Sequence, residues 1–198
     1  MKSVLSRNFY KRKTDIVAKD LLGKIILRKL PQEIYLTGII VETEAYFGEG
    51  DIASHARRGK TSRCEVMFGK PGISYVYFTY GMHYMLNIVI GKKGTAGAVL
   101  IRAVEPVKGI EMMKTHRKTS KVELLTNGPA KFTKAFQINL KDNKRDVTSG
   151  NIIIKNNSLK SIYIKSSHRI GVPLDNNDHF RYYISGNRYV SRILKKGD

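Results

Sequence analysis

The run from Ile73 to Ile90, ISYVYFTYGMHYMLNIVI, constrains the fold more than any other part of the chain. Its eighteen residues approach the length of a membrane span. Yet it holds Thr79, His83, Asn87 and four tyrosines, with Gly81 in its middle. Aromatic and β-branched residues on either side of Tyr80, Gly81 and Met82 predict two short strands joined by a tight turn. The segment therefore reads as a hairpin, and the membrane reading is set aside.

The rest of the chain supplies partners for that hairpin. Thr14 to Leu22 reads as a short helix, capped by Thr14 and closed by Gly23. Lys24 to Leu30 and Tyr35 to Tyr46 read as strands about a turn at Pro31. Ala98 to Glu105 reads as a buried strand stopped by Pro106, and Ile110 to His116 as helical. NGPAKFTKAFQI opens a helix, with Asn127 or Gly128 as cap and Pro129 in its first turn. Ile152 to Lys155, Ser161 to Lys165, Phe180 to Ser185 and Tyr189 to Ile193 are further short strands. No repeat or low-complexity linker divides the chain. Many strands with interspersed helices, and no regular βαβ rhythm, predict a single mixed α+β domain over residues 1–198.

Charge narrows the partner. Thirty-six Lys and Arg against sixteen Asp and Glu leave a formal net charge of +20. Such an excess favours nucleic acid or an acidic membrane. One cysteine, Cys64, excludes an intrachain disulfide and a cysteine-built zinc site. The five histidines show no HxxxH spacing, so no metal is expected. The first residues, MKSVLSRNFYKRK, contain no apolar run of the signal-peptide kind, and a reducing cytoplasm is the expected location. A Walker loop, a GxGxxG turn and the HxE…PCxxC pair of zinc deaminases are all absent from the sequence.

Against that basic background, VETEAYFGEGDIASH (Val41 to His55) collects Glu42, Glu44, Glu49 and Asp51. Alternation along a strand puts Glu42, Glu44 and Tyr46 on one face and Val41, Thr43 and Ala45 on the other. A carboxylate beside an aromatic ring in a partly dry pocket suits a general base or a cation stabiliser. The same pair on a strand edge could equally be solvated. Tyr75 and Tyr77 share a strand face, where cross-strand packing is the ordinary role. Tyr80, at the hairpin tip, has little of its own protein to pack against and could serve as a wedge between base pairs. Arg57, Arg58, Lys60 and Arg63 could contact phosphate or form a solvated surface, and so could Lys131 after Asn127-Gly128-Pro129.

Six blocks in order, GIIVETEAYFGEGDIASHA, MFGKPGISYVYFTYGMHYMLNIV, GAVLIRAVEP, NGPAKFTKAFQI, SHRIGV and RYYISGNRYVS, resemble the alkyladenine (3-methyladenine) DNA glycosylase family. The resemblance runs from about Leu21 to Ser191. It implies a curved, mostly antiparallel sheet with flanking helices and a protruding β-hairpin, and excision of alkylated or deaminated purines from duplex DNA by a monomer without cofactor. It further implies that Glu44 activates water, positioned with Arg102 and the Ile170 carbonyl. Tyr46, His55 and Tyr77 would sandwich the flipped base, and Asn87 would oppose the 2-amino group of guanine. Tyr80 would enter the duplex with Met82 beside it, while Thr61, Arg63 and Lys131 would contact DNA. Where relatives commonly carry a TPRN-like loop, this chain has Thr61-Ser62-Arg63-Cys64. A competing reading, a non-catalytic RNA binder, rests on the family fold's likeness to the tRNA-binding domain of methionyl-tRNA formyltransferases. It leaves the co-occurrence of Glu44, Tyr46, His55, Tyr77 and Arg102 without a reason.

Overall fold

A computed structural model describes residues 3–157, 161–172 and 179–191. The long strand β2 (Tyr35–Tyr46) is its axis. Along one side β2 pairs antiparallel with β5 (Ala98–Lys108). Its other side is shared by β1 (Ile25–Lys29), opposite residues 35–39, and β8 (Arg181–Ile184), opposite residues 42–44. The hairpin of β3 (Ser74–Thr79) and β4 (His83–Val89) adds on β5. At the other limits β6 (Ile152–Lys155) pairs with β1 and β7 (Ile164–Ser167) with β8. All of these pairings are antiparallel, and with the four α-helices among the described residues they make an α+β fold, as expected.

Period-two alternation splits the sheet into two faces. Val76, Leu86, Ile88, Val99, Ile101 and Ala45 turn to the main core. There the helix α2 (Thr14–Asp20) contributes Val17 and Ala18, and α4 (Pro129–Ala135) contributes Phe132 and Ala135. Phe132 and the adjoining Phe136 pack with ring centroids 4.8 Å apart and no exposed surface. Each such burial contributes about 1.5–3 kcal/mol. Two hydroxyls fix helices to strands: Thr43 Oγ1 donates to the Ala18 carbonyl and Thr133 Oγ1 to that of Tyr84, both at 2.8 Å. The second bond anchors the tip end of the hairpin to α4, since Tyr84 is the second residue of β4. The remaining helices are α1 (Arg7–Tyr10) and α3 (Ile110–Arg117).

Five expectations need correction. Thr14 does not cap α2: it is the first helical residue, Lys13 holds the cap position, and no side chain caps the helix. Pro106 does not end β5, which continues to Lys108, because it faces Gly38 at a register shift where the irregular ladder tolerates a residue without an N–H. Val41 does not share its environment with Ala45. Register breaks on both sides of Glu42 leave Val41 unpaired, and it packs in a separate cluster with Ala103 and Tyr189. The strand expected over Ser161 to Lys165 lies instead at Ile164–Ser167. Finally, Tyr189 to Ser191 form turns, not strand. The Asn187 Oδ1 accepts from the Tyr189 N–H at 2.9 Å, an Asx-turn that competes with extended pairing. Residues 192 and 193 of that expectation lie outside the described residues.

Candidate active site

Antiparallel register aligns one row across four strands: Tyr75 opposite Asn87, Asn87 opposite Leu100, Leu100 opposite Glu44. Residues in such a row point to the same face, here the one away from the main core. Above it lies a cavity of about 430 Å³, lined by Tyr46, His55, Tyr75, Tyr77, Asn87 and Arg102 among others. That size falls within the ~300–1,000 Å³ of small-ligand pockets. Tyr80 borders it from the hairpin tip, and Pro129 from the start of α4.

Glu44 has no solvent exposure and does not itself line the cavity, but it is hydrogen-bonded to three residues that do, Tyr46, Arg102 and Ile170. Three donors converge on its carboxylate. The Tyr46 hydroxyl (2.8 Å) and Arg102 Nη1 (3.1 Å) donate to Oε2, and the Ile170 N–H (2.8 Å) donates to Oε1. Burial opposes the charge of Arg102, but Glu44 and Glu42 more than offset this and raise its pKa. Burial, reinforced by the Glu44 charge, raises the Tyr46 pKa well above its ordinary value, so the phenol stays protonated and donates. The same two causes push Tyr77 up to about 12.

The rings form a slot. His55 meets Tyr77 edge-on at 4.6 Å between centroids, and Tyr75 lies 5.4 Å from Tyr77. The single Tyr75 hydroxyl proton goes to the Arg63 carbonyl at 3.1 Å, so His55 Nδ1 carries the proton in its 2.8 Å contact with that hydroxyl. Burial, assisted by the Arg63 charge, lowers the His55 pKa from 6.5 to about 4 and keeps the ring neutral. Asn87 is buried, its amide donating to the Tyr75 carbonyl at 3.3 Å.

At the tip, Tyr80 and Met82 are 82% and 70% exposed. Tyr80 adopts φ 51°, a left-handed conformation costly for an aromatic residue, followed by Gly81 at φ 67°. Lys131 sits in the neighbouring groove with Met82, donating to Asn127 Oδ1 at 2.9 Å. Thr61 and Arg63 are exposed and do not line the cavity. The buried Cys64 thiol holds their loop closed, 3.2 Å from Thr61 Oγ1 and 3.4 Å from the Thr61 nitrogen and the Gly59 carbonyl.

Sequence reasoning missed the residues that support this site. Arg169 is buried, donates to Asp51 through both terminal nitrogens at 2.8 Å, and donates to the Ala45 carbonyl at 2.9 Å. Arg181, also buried, donates through Nε to Glu42 Oε1 at 2.7 Å. Glu42 further accepts from Arg102 Nε and from the N–H and hydroxyl of Ser191. The crowding of acids in Val41 to His55 was the one available signal, since buried carboxylates require buried cations. For Ile170 the visible contact is the N–H, where the resemblance implies a role for the carbonyl.

A buried carboxylate under an aromatic-walled cavity suits an enzyme that breaks a bond at a sugar carbon, where positive charge develops as the leaving group departs. The fold and site thus place the chain among hydrolases of glycosyl bonds. Comparison with known proteins makes this specific: the chain matches methylpurine-DNA glycosylase over residues 8–188 and belongs to that family, hydrolases of N-glycosyl bonds in DNA. A relative from Carboxydothermus hydrogenoformans is 49% identical over 96% of this chain and 99% of its own length. One from Prosthecochloris aestuarii is 48% identical over 94% and 90%, and one from Chlorobium phaeobacteroides 43% over 96% and 97%. All three are provisionally named 3-methyladenine DNA glycosylases. Among the described residues no helix is long and apolar enough to cross a membrane.

Proposed function

We propose that the protein excises 3-methyladenine and related alkylated purines from duplex DNA by base flipping and attack of water, leaving an abasic site. The observation that carries this reading is the Glu44 carboxylate, sealed from bulk solvent and held by Tyr46, Arg102 and Ile170 under the aromatic slot. Tyr80 replaces the extruded base in the stack, with Met82 beside it. The purine lies among Tyr46, His55 and Tyr77, and stacking contributes about 1–3 kcal/mol whatever the base. A cationic alkylpurine gains a further ~0.5–2 kcal/mol against electron-rich faces and departs as a neutral molecule. Asn87 excludes guanine through its 2-amino group.

As the C1′–N bond breaks, its electron pair leaves on the purine. Glu44 stabilises the positive charge left on the sugar and takes the proton of the attacking water, whose oxygen bonds to C1′. Arg102 and the Ile170 segment fix the carboxylate, and the Ile170 carbonyl helps to orient the water. Thr61, Arg63 and Lys131 contact the DNA around the extruded nucleotide. One chain supplies carboxylate, rings and wedge, so the protein acts as a monomer on nucleoid DNA in the cytoplasm, on deaminated as well as alkylated purines.

Glu44→Gln is expected to slow single-turnover release of free 3-methyladenine from methylated duplex by about 10²–10⁴ while binding to that duplex persists. Loss of binding and release together would make Glu44 structural. Release at the wild-type rate would remove it from the mechanism.

A further inference from the structure

Arg169 is buried and does not line the cavity. Its guanidinium carbon lies 4.8 Å from the centroid of the Tyr46 ring and 5.4 Å from that of Phe180. Tyr46 lines the cavity and Arg169 does not, so the cation stands behind the ring. A positive charge there draws on the same π-system that a purine would stack against, and it repels a cationic base through the ring. Asp51 lies against it, bidentate at 2.8 Å on both oxygens, and is itself fixed by the N–H groups of Phe47 (2.8 Å) and Ala53 (3.1 Å). The pair is therefore neutral as a unit, with both side chains almost wholly buried. A buried ion pair is rarely a good source of stability compared with apolar packing, and this one backs the stacking wall.

We propose that the Arg169–Asp51 pair is a charge-balanced backing for Tyr46 that sets how strongly the cavity prefers cationic over neutral purines. Arg169 supports the ring and, through the adjacent Ile170 N–H, the Glu44 carboxylate. Asp51 cancels the charge that would otherwise oppose a cationic base. Both are positioning residues: neither touches the substrate. The inference rests on the excision function proposed above and names the property of that site which the pair controls.

The test uses two duplexes that differ in the charge of one base. One carries 2′-fluoro-3-methyladenosine, cationic and resistant to hydrolysis. The other carries 2′-fluoro-3-deaza-3-methyladenosine, a neutral isostere. The readout is the ratio of their Kd values, in which effects common to both cancel. Asp51→Asn leaves the guanidinium uncompensated and is expected to lower the preference for the cationic duplex about tenfold, from a unit charge some 8 Å from the base at an effective dielectric near 20, reduced by screening. Arg169→Gln leaves the carboxylate uncompensated and shifts the preference the opposite way. The double variant Arg169→Gln/Asp51→Asn, balanced again, returns to the wild-type Kd ratio within about twofold.

Opposite signs in the single variants cannot come from misfolding, which weakens both duplexes alike, and either single variant that folds tests its own sign. Equal weakening of both duplexes, or an unchanged ratio, overturns the proposal and leaves the pair a structural clamp. Wild-type release of 3-methyladenine is measured in parallel. Its absence would fail the function itself, whereas release with invariant ratios would fail only this inference.

Discussion

Two glutamates one residue apart carry different burdens. Glu42 is fully enclosed by Arg102, Arg181 and Ser191 and holds β2, β5, β8 and the segment after β8 together. Glu44 is instead held by three residues that line the cavity, Tyr46, Arg102 and Ile170. Alternation in the sequence put both on a common face, yet it carried no information on which would be structural. That depends on Arg181 and Ser191, far along the chain, and on the register breaks around Glu42. His55 offers a direct check at this scale. Its unfolded form takes up a proton near 6.5, while its folded form resists until about 4. Its contribution to stability is therefore constant above the ordinary pKa, declines as the pH falls from about 6.5 to 4, and levels below that. Denaturant titrations across this range are expected to show the decline in the wild type and a flatter profile in His55→Gln. In the intact protein, ring resonances should report a neutral imidazole at pH 5.5. A protonated ring at that pH would mean that the slot is wetter than its burial indicates.

Among the elements, those with self-sufficient local signals were legible. The bounds of β2 match the expected Tyr35 to Tyr46, and Gly128 followed by Pro129 does begin α4. Elements decided by partners were not. Pro106 stops a strand only if its neighbour demands an N–H, and the break opposite Gly38 removes that demand. The close approach there is real, since a Cβ on Gly38 would lie 2.3 Å from Val104 Cγ1. The hairpin was readable from its tyrosines and Gly81, but its left-handed tip residue was not. Tyr80 accepts a conformation that Asn adopts more readily. Tyr80→Asn is accordingly expected to keep or slightly raise the melting temperature. It should lower the yield of an extruded fluorescent base analogue in duplex DNA, because the stack is no longer filled. An unchanged fluorescent yield would leave the tip without a role in extrusion, and a marked fall in stability would show that its ring packs against the protein.

At the scale of the whole molecule, charge is sorted by depth. Among the acidic residues of the described chain, Glu42, Glu44, Asp51 and Asp142 are buried, and each faces an arginine: Arg102 and Arg181, Arg102, Arg169, and Arg28 respectively. These buried acids and their arginines cancel one another, so the net +20 is carried by the remaining residues, and it attracts polyanions. Composition announced the excess but not its sorting, which needs the paired coordinates of residues 58 to 139 positions apart. The division predicts that binding and chemistry respond differently to salt. Affinity for undamaged duplex should fall with a log–log slope of about −4 to −8, set by the phosphates whose counterions are released. Single-turnover excision at saturating enzyme should change less than about twofold over the same range, because Glu44 and its donors are shielded from mobile ions. Glu44→Gln should share the wild-type slope, as the buried carboxylate contacts no phosphate. A shallow slope would mean that DNA is held chiefly by the hairpin and the slot. A steep fall in the saturated rate would mean that ions reach the carboxylate, and that the aromatic cavity does not close over it when DNA is bound.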